Sequence, residues 1–164
     1  MTAYTAQTID TPDGPFTVVE DADGAVVASG WSADAGAVAL RGGIAEREVL
    51  PGATRAASAV RAFYGGDVEA PAGVPVAQRG TAFQAAVWRA LREIPLGTVS
   101  RYGELAAALG NPGSSRAVGA ACGRNAVALF VPCHRVVGAS GALTGFAWGV
   151  DDKSSLLARE GATL

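Results

Sequence analysis

The chain has 164 residues, of which 49% are hydrophobic and 17% charged, and its formal net charge at pH 7 is -2. This composition predicts a packed globular protein, and it argues against a disordered chain or one held on nucleic acid by bulk positive charge. No run of about 18 apolar residues occurs, and no basic segment precedes an apolar one near the N-terminus. We therefore expect a cytoplasmic protein that does not enter a membrane.

Cysteine and histidine are scarce in this sequence. There are two cysteines, Cys122 and Cys133, and one histidine, His134. Two cysteines do not make a disulfide framework in a chain of this length, and a structural zinc site needs about four ligands. We expect no bound metal and no cofactor.

The charges are distributed unevenly along the chain. Residues 1–78 carry four arginines and ten acidic residues, whereas residues 79–135 carry seven arginines and two acidic ones. Such asymmetry is typical of a local anion-binding face in an acidic protein, although an ordinary solvated surface explains it equally well.

The first half of the sequence predicts a small sheet with a helix. Phe16–Glu20 and Ala25–Gly30 are β-prone runs, and Asp23-Gly24 between them signals a hairpin. Residues 54–64 have a helical apolar face and end at two glycines. The proline-rich segment 70–76 predicts a linker, which divides the chain into domains 1–76 and 77–164.

The second half predicts mostly helices. Thr81 to Gln84 forms a capping box at the start of a helix that runs to Pro95. Two short helices follow, roughly Tyr102–Leu109 and Ser114–Gly123, and resemble a helix-turn-helix, although most helical hairpins bind nothing. We also expect a buried strand at Val127–Val131 and a final helix at about Asp152–Glu160.

The segment Pro132–Val136, at the exit of the predicted strand, carries the clearest chemical signal. A buried cysteine is most often a small core residue, but Cys133 stands beside the sole imidazole of the chain. An unperturbed thiol is only about 3% thiolate at pH 7, so it needs a base or a positive charge, which His134 and Arg135 supply. Glu160 is our candidate for the carboxylate that orients the histidine.

The sequence PCHRV at 132–136 resembles the active-site motif of the O6-alkylguanine-DNA alkyltransferases, or methylated-DNA–protein-cysteine methyltransferases. The likeness runs from Gly80 to the C-terminus and includes IPLGTVSRYGELAAALGNPGSSRAVGAAC and LLAREG. It implies an α+β fold, with a small ribonuclease H-like N-terminal domain of sheet plus helix. A mostly helical, winged helix-turn-helix-like domain would follow it.

The resemblance also implies a function. A family member repairs DNA by transferring the alkyl group of O6-alkylguanine, and of O4-alkylthymine, directly and irreversibly onto its own cysteine. Each chain acts once, as a methyltransferase that is consumed. The implied partner is double-stranded DNA with alkylated bases, bound by a monomer.

Carried over residue by residue, the resemblance makes Cys133 the alkyl acceptor and His134 its base through water, with Glu160 orienting the imidazole. Tyr102 would contact N3 of a flipped guanine, and Arg116 would fill the vacated place in the base stack. The implied DNA contacts are Ser114, Ser115, Arg116, Ala117 and Arg124. The implied pocket residues are Tyr102, Asn125, Val136, Phe146, Ala147 and Trp148.

The sequence departs from the family pattern near the pocket. Ala126 stands where many members have proline, and Phe146 replaces a frequent tyrosine. Trp148 stands where many members have glycine, so the pocket width is in question.

Three other functions compete with this interpretation. One is a non-catalytic relative that binds alkylguanine and flags it, but such relatives lack the cysteine. A cysteine hydrolase would leave the helix-turn-helix unexplained and has no oxyanion-donor motif here. The third is a plain DNA-binding regulator, since a repair domain of this type also occurs fused to regulatory domains, but we expect no such extra domain in this sequence.

Overall fold

The structure, a computed structural model, describes residues 3–138 and 146–162. Its secondary structure is mixed α+β, and the chain divides into two compact units. Unit 1 comprises the residues up to Arg79 together with residues 126–130, and unit 2 comprises residues 80–125 and the chain from Val131 onward. The predicted domain boundary, after residue 76, lies three residues before the observed one, after Arg79. The prediction also placed residues 126–130 in the second domain, whereas they belong to unit 1.

Unit 1 contains a four-stranded sheet and two helices. The sheet has the order β3-β2-β1-β4, in which β1, β2 and β3 are antiparallel neighbours and β4 runs parallel to β1. The strands are β1 (Tyr4–Thr11), β2 (Gly14–Glu20), β3 (Val26–Gly30) and β4 (Val49–Pro51). The helices are α1 (Ala35–Arg41) and α2 (Ala57–Tyr64), with short 3₁₀ helices at Glu46–Glu48 and Ala70–Gly73.

The predicted hairpin between β2 and β3 is confirmed. Asp21 Oδ1 accepts hydrogen bonds from the N–H groups of Asp23 and Ala25, at 2.9 and 3.0 Å, and so closes the turn. Gly24 has a φ of 82°, a left-handed conformation that glycine adopts without strain. The side chain of Asp21 therefore stabilises the turn, and the strand pairing shifts register between Val19 and Glu20.

The prediction of a linker at residues 70–76 is wrong. Residues 70–73 form a 3₁₀ helix, and Val76 pairs with Val26 at the edge of β3. The Val26 N–H donates to the Pro75 carbonyl, and the Ala77 N–H donates to the Val26 carbonyl, both at 2.9 Å. An edge strand tolerates Pro75 because only its carbonyl is needed for pairing.

Unit 2 is mostly helical. Its helices are α3 (Ala82–Glu93), α4 (Tyr102–Ala108), α5 (Ser115–Gly123) and α6 (Val150–Arg159), and a 3₁₀ helix covers Cys133–Arg135. Two short strands, β5 (Ser100–Arg101) and β6 (Val136–Val137), pair in parallel. The capping box at Thr81 is confirmed, because its Oγ1 accepts from the Gln84 N–H at 3.1 Å and Gln84 Oε1 accepts from the Thr81 N–H at 3.0 Å.

The longest helix of the described residues, α3, has 12 residues. A helix needs about 20 apolar residues to cross a bilayer, so no helix in this part of the chain is able to span a membrane.

The predicted strand at Val127–Val131 is wrong, although the whole segment is buried as expected. Only Val127 makes a bridge, to Ser29, and the chain then turns, with Leu129 at a φ of 75°. Ser29 holds the segment by donating its N–H to the Ala126 carbonyl and its hydroxyl to the Ala128 carbonyl, both at 2.8 Å. An apolar run of this length does not distinguish a buried strand from a buried turn.

Candidate active site

A buried ion cluster joins the 3₁₀ helix at Cys133–Arg135 to the end of α6. Glu160 Oε2 lies 2.9 Å from His134 Nε2 and accepts from Arg135 Nη2 at 2.9 Å, while Oε1 accepts from Arg135 Nε at 2.9 Å. The Glu160 and His134 side chains are each 1% exposed. Arg135 Nη1 also donates to the Ile94 carbonyl at 3.0 Å, so the cluster fixes the end of α3 as well.

The cluster sets the protonation states of its members. Burial by itself raises the pKa of Glu160, but the hydrogen bonds from His134 and Arg135 outweigh it and lower that pKa to about 2. Burial lowers the pKa of His134, against the opposing effect of Glu160. At neutral pH the structure therefore holds an ionised Glu160 against a neutral imidazole.

The orientation of the imidazole follows from these states. A neutral histidine carries one N–H, and the carboxylate of Glu160 accepts it from Nε2. His134 Nδ1 is then the basic nitrogen, and it is buried with no hydrogen-bond partner among the described residues. This nitrogen has the lone pair that a proton acceptor for the neighbouring thiol requires.

Cys133 opens the 3₁₀ helix and is half-buried. The side-chain amide of Asn125 donates one hydrogen to Cys133 Sγ at 3.2 Å and the other to the Val131 carbonyl at 2.9 Å. An N–H donor aimed at sulfur favours the thiolate, because hydrogen bonds to the charged form stabilise it. The structure thus places Asn125 at the sulfur rather than only along a pocket wall.

A cleft of about 460 Å³ lies elsewhere on unit 2, between α4 and α5. It is lined by Tyr102, Arg116 and Ser115 with the small residues Gly103 and Gly119, and also by Arg101 and Glu104. A Cβ added to Gly119 would lie 3.9 Å from the Tyr102 ring, so the tyrosine packs closely over the slim face of α5. The structure therefore brings Tyr102 and Arg116 together, in a cleft whose lining does not include Cys133.

Helix α5 connects the two groups of residues. Arg116 lies in its first turn, and Asn125 follows its last residue by two positions. A helix of nine residues is about 13 Å long, so Arg116 and Asn125 lie near opposite ends of α5.

The remaining predicted DNA contacts lie at the ends of α5. Ser114 occupies the N-cap position, as predicted, but its side chain makes no capping hydrogen bond. Ala117 and Arg124 are exposed, as is Arg116.

The predicted pocket residues after Cys133 differ in burial. Val136 is fully buried, Phe146 and Trp148 are half-buried, and Ala147 is exposed. The N–H of Gly149 donates to the Phe146 carbonyl at 3.1 Å, which closes a tight turn directly before α6. A glycine-rich loop is also predicted from the sequence between Gly138 and Gly149, and its residues 139–145 lie outside the described residues.

Sequence reasoning missed one residue beside this site, Lys153. It is 1% exposed, and its Nζ donates to the Val136 carbonyl at 2.6 Å. Its position was foreseeable, because residues 153, 156, 157 and 160 share one face of a helix.

The comparisons with known proteins identify relatives of this chain. The DNA-binding domain of 6-O-methylguanine DNA methyltransferase matches residues 82–162. A methylated-DNA--protein-cysteine methyltransferase of Mycobacterium bovis is 37% identical over 94% of this chain and 90% of its own. The solved structure of Mycobacterium tuberculosis OGT in complex with DNA is 35% identical and has a TM-score of 0.81, over 96% of this chain and 92% of that one.

The chain therefore belongs to the family of methylated-DNA–protein-cysteine methyltransferases. Some relatives match over a smaller part of their length. The protein of Methanosarcina acetivorans is 50% identical over 63% of this chain and 65% of its own length. The protein of Shigella flexneri is 49% identical over 64% of this chain and 61% of its own length. The chain thus spans less than two thirds of the length of these curated relatives.

Proposed function

We propose that this protein repairs DNA by transferring the alkyl group of O6-alkylguanine, and of O4-alkylthymine, irreversibly to Cys133. The observation that carries the proposal is the state of His134. Its Nε2 is held by the ionised Glu160, and its buried Nδ1 has no partner among the described residues, one position along the chain from Cys133. That arrangement provides a base for a thiol and has no other evident use.

The proposed step is a displacement at an sp3 carbon. The proton of Cys133 passes through water to His134 Nδ1, and the resulting thiolate attacks the alkyl carbon. A carbon–sulfur bond forms, the bond from carbon to O6 breaks, and its electron pair remains on guanine. Asn125 holds the sulfur with an N–H at 3.2 Å while this occurs.

The proposed roles of the cleft concern the base itself. The Tyr102 hydroxyl donates to N3 of the extruded guanine and stabilises the negative charge that develops on it. Arg116 occupies the space that the base leaves in the stack, while Ser114, Ser115, Ala117 and Arg124 contact the DNA. Extrusion costs a few kcal/mol, and less for a poorly paired alkylguanine.

The product explains why each chain acts once. A thioether offers water no good leaving group, and no residue named here is able to remove the alkyl group from sulfur. The protein is therefore consumed with its lesion. A relative that only binds and flags the lesion is not favoured, because Cys133 is present and a proton acceptor lies beside it.

The proposal includes the finer description of each unit. The strand order β3-β2-β1-β4, with β4 parallel to β1, supports a ribonuclease H-like unit 1. Helices α4 and α5 beside the β5–β6 pair support a winged helix-turn-helix in unit 2.

The proposed partner is double-stranded DNA, bound by a monomer. Unit 2 carries eight basic and five acidic residues, a net charge of +3, which supports binding to DNA. One chain contains every group that the step uses, which supports a monomer. A protein that acts on chromosomal DNA works where that DNA lies, so the proposal includes a cytoplasmic location.

The fate of the DNA tests this function. A duplex oligonucleotide with one O6-methylguanine is mixed with protein at several ratios below equivalence, and the remaining lesion is quantified by digestion and chromatography. We expect unmodified guanine to appear in an amount equal to the protein added, and then no more. Lesion loss that continues beyond one equivalent, or none at all, contradicts the proposal.

A further inference from the structure

Glu104 is an acidic residue in the cleft between α4 and α5, which the proposed function gives to DNA. Among the described residues, the charged side chains that line this cleft are those of Arg101, Arg116 and Glu104. A DNA strand carries one negative charge on each phosphate, so the Glu104 carboxylate repels the partner that the cleft would bind. The proposed function assigns a role to Arg116 but none to Arg101 or Glu104.

Glu104 forms an ion pair with Arg101 at this cleft. Arg101 directly precedes α4, and Glu104 lies in the first turn of that helix. Arg101 Nη1 donates to Glu104 Oε1 at 3.4 Å, and the two side chains are 50% and 60% exposed. Both members of the pair are therefore accessible to a phosphate that enters the cleft from solvent.

A phosphate has the advantage over the carboxylate in binding this arginine. An exposed ion pair contributes little, because water screens it and two long side chains must be held in one geometry. A DNA phosphate accepts shorter, charge-assisted hydrogen bonds from a guanidinium, and its neutralisation also releases a counterion from the duplex. The phosphate should therefore displace Glu104 from Arg101, and the displaced carboxylate then faces the strand that replaced it.

We propose that Arg101 contacts a DNA phosphate and that Glu104 competes with this phosphate for the guanidinium. Glu104 thereby lowers the affinity for any duplex, damaged or undamaged. A lower affinity for undamaged sites shortens the time that the protein spends on each of them during its search. The inference rests on the proposed function, because that function places DNA in the cleft.

The test measures binding of an undamaged, fluorescently labelled duplex by anisotropy at several salt concentrations. Arg101→Ala should weaken binding about tenfold near 0.1 M salt and reduce the slope of log K against log salt by about 0.9, since one phosphate contact is lost. Arg101→Lys keeps the charge and should keep the slope of the parent. Glu104→Gln should tighten binding about threefold to fivefold, because the phosphate no longer has to displace a carboxylate.

The double variant separates competition for Arg101 from general repulsion of DNA by an acidic residue. In the Arg101→Ala background there is no guanidinium to compete for, so Glu104→Gln should tighten binding by less than twofold. The same tightening in both backgrounds would overturn the competition. A parental slope for Arg101→Ala, or no gain in affinity for Glu104→Gln, would overturn the proposal as a whole.

Matched controls remove the same charges elsewhere. Glu93→Gln changes an exposed acid at the end of α3 that does not line the cleft, and Arg61→Ala changes an exposed arginine on α2 of unit 1. Glu93→Gln should tighten binding less than Glu104→Gln, and Arg61→Ala should keep the parental slope. If Arg101→Ala does not fold, as judged by circular dichroism, Arg101→Gln replaces it in every comparison.

These measurements use undamaged DNA and involve no transfer, so the two proposals fail separately. Methyl transfer to Cys133 by a protein whose binding does not respond to Arg101 or Glu104 contradicts only this inference. Binding that responds as expected, in a protein that removes no methyl group, contradicts only the proposed function.

Discussion

Tyr102 and Arg116 share one cleft but differ in their surroundings. Tyr102 is half-buried and packs over Gly119, whereas Arg116 is exposed on the first turn of α5. A half-buried tyrosine suits a contact with the reacting base, and an exposed arginine suits a contact with the DNA around it. Their substitutions should therefore affect different steps.

Arg116→Ala should slow repair of duplex DNA by about tenfold or more, because nothing then fills the vacated space in the stack. Its reaction with free O6-benzylguanine should be nearly unchanged. Tyr102→Phe should slow both reactions about tenfold to a hundredfold, because it removes a donor to the leaving base. Single-turnover rates on both substrates measure this, with the exposed Arg89→Ala on α3 as control. Equal losses for both variants on both substrates would refute this division.

Trp148 bears on which alkyl groups the site accepts. It is half-buried in the turn before α6, at a position where the resemblance described above implies a frequent glycine. If its indole borders the acceptor sulfur, a benzyl group meets overpacking that a methyl group avoids. Trp148→Gly should then accelerate benzyl transfer by a factor of about ten to a hundred and leave methyl transfer nearly unchanged. A variant with equal changes on both substrates would show that Trp148 is only loop packing.

At the scale of elements, the end of α6 is held to the 3₁₀ helix at Cys133–Arg135 by one carboxylate, Glu160. Its pKa of about 2 lies below the ordinary 4.5, so the folded chain keeps it ionised at pH values where the unfolded chain is protonated. The contribution of the ionised Glu160 to the free energy of unfolding is complete above about pH 4.5 and is lost as the pH falls to about 2. His134 adds a loss in the same direction below about pH 6.5, because burial lowers its pKa in the folded state.

We expect the free energy of unfolding to fall by up to about 3 kcal/mol between pH 4.5 and 2 on account of Glu160. Glu160→Gln should be less stable at pH 7, because Arg135 is left without its carboxylate, and should lose this part of the acid dependence. Glu104→Gln is the control, since its pair with Arg101 is exposed and contributes little. Urea unfolding at several pH values measures both, and parallel pH profiles for parent and Glu160→Gln would contradict the account.

The elements that the sequence predicted are those with local signals. The capping box at Thr81 and the Asp-Gly turn before β3 act through side chains within four residues, so their sequence is sufficient. The strand predicted at 127–131 was wrong because the conformation of this segment depends on Ser29, which is distant in sequence. Ser29 binds the carbonyls of Ala126 and Ala128. Strand β1 and helix α1 were not predicted, because β1 is recognisable mainly through its pairing with β2 and β4.

The candidate site was predicted in part for the same reason. Cys133 and His134 are adjacent in sequence, and their chemistry alone marks them. Glu160 had an ordinary explanation as a solvated acid at a helix end, and the resemblance to a family, not its spacing, favoured it. Lys153 was missed because lysines are almost always exposed, and its burial depends on packing against residues 133–136.

At the scale of the whole molecule, charge and chemistry are concentrated in the same unit. Unit 1 carries five basic and ten acidic residues, a net charge of -5, whereas unit 2 carries +3 and holds every proposed catalytic residue. The overall charge of -2 therefore says little about DNA binding. Affinity for duplex DNA should depend on the exposed arginines of unit 2 and should weaken as salt increases.

The most direct test of the proposed transfer to Cys133 is the mass of the protein after exposure to a large excess of duplex DNA containing O6-methylguanine. We expect a single gain of about 14 Da, one methyl replacing one hydrogen, with no further change over time. Trypsin separates Cys133, in peptide 125–135, from Cys122, in peptide 117–124, and the methyl group should lie on the first. Cys133→Ser should gain nothing, and Cys122→Ser should match the parent. A methyl group on Cys122, a second addition, or continued turnover by an unmodified chain would contradict the account.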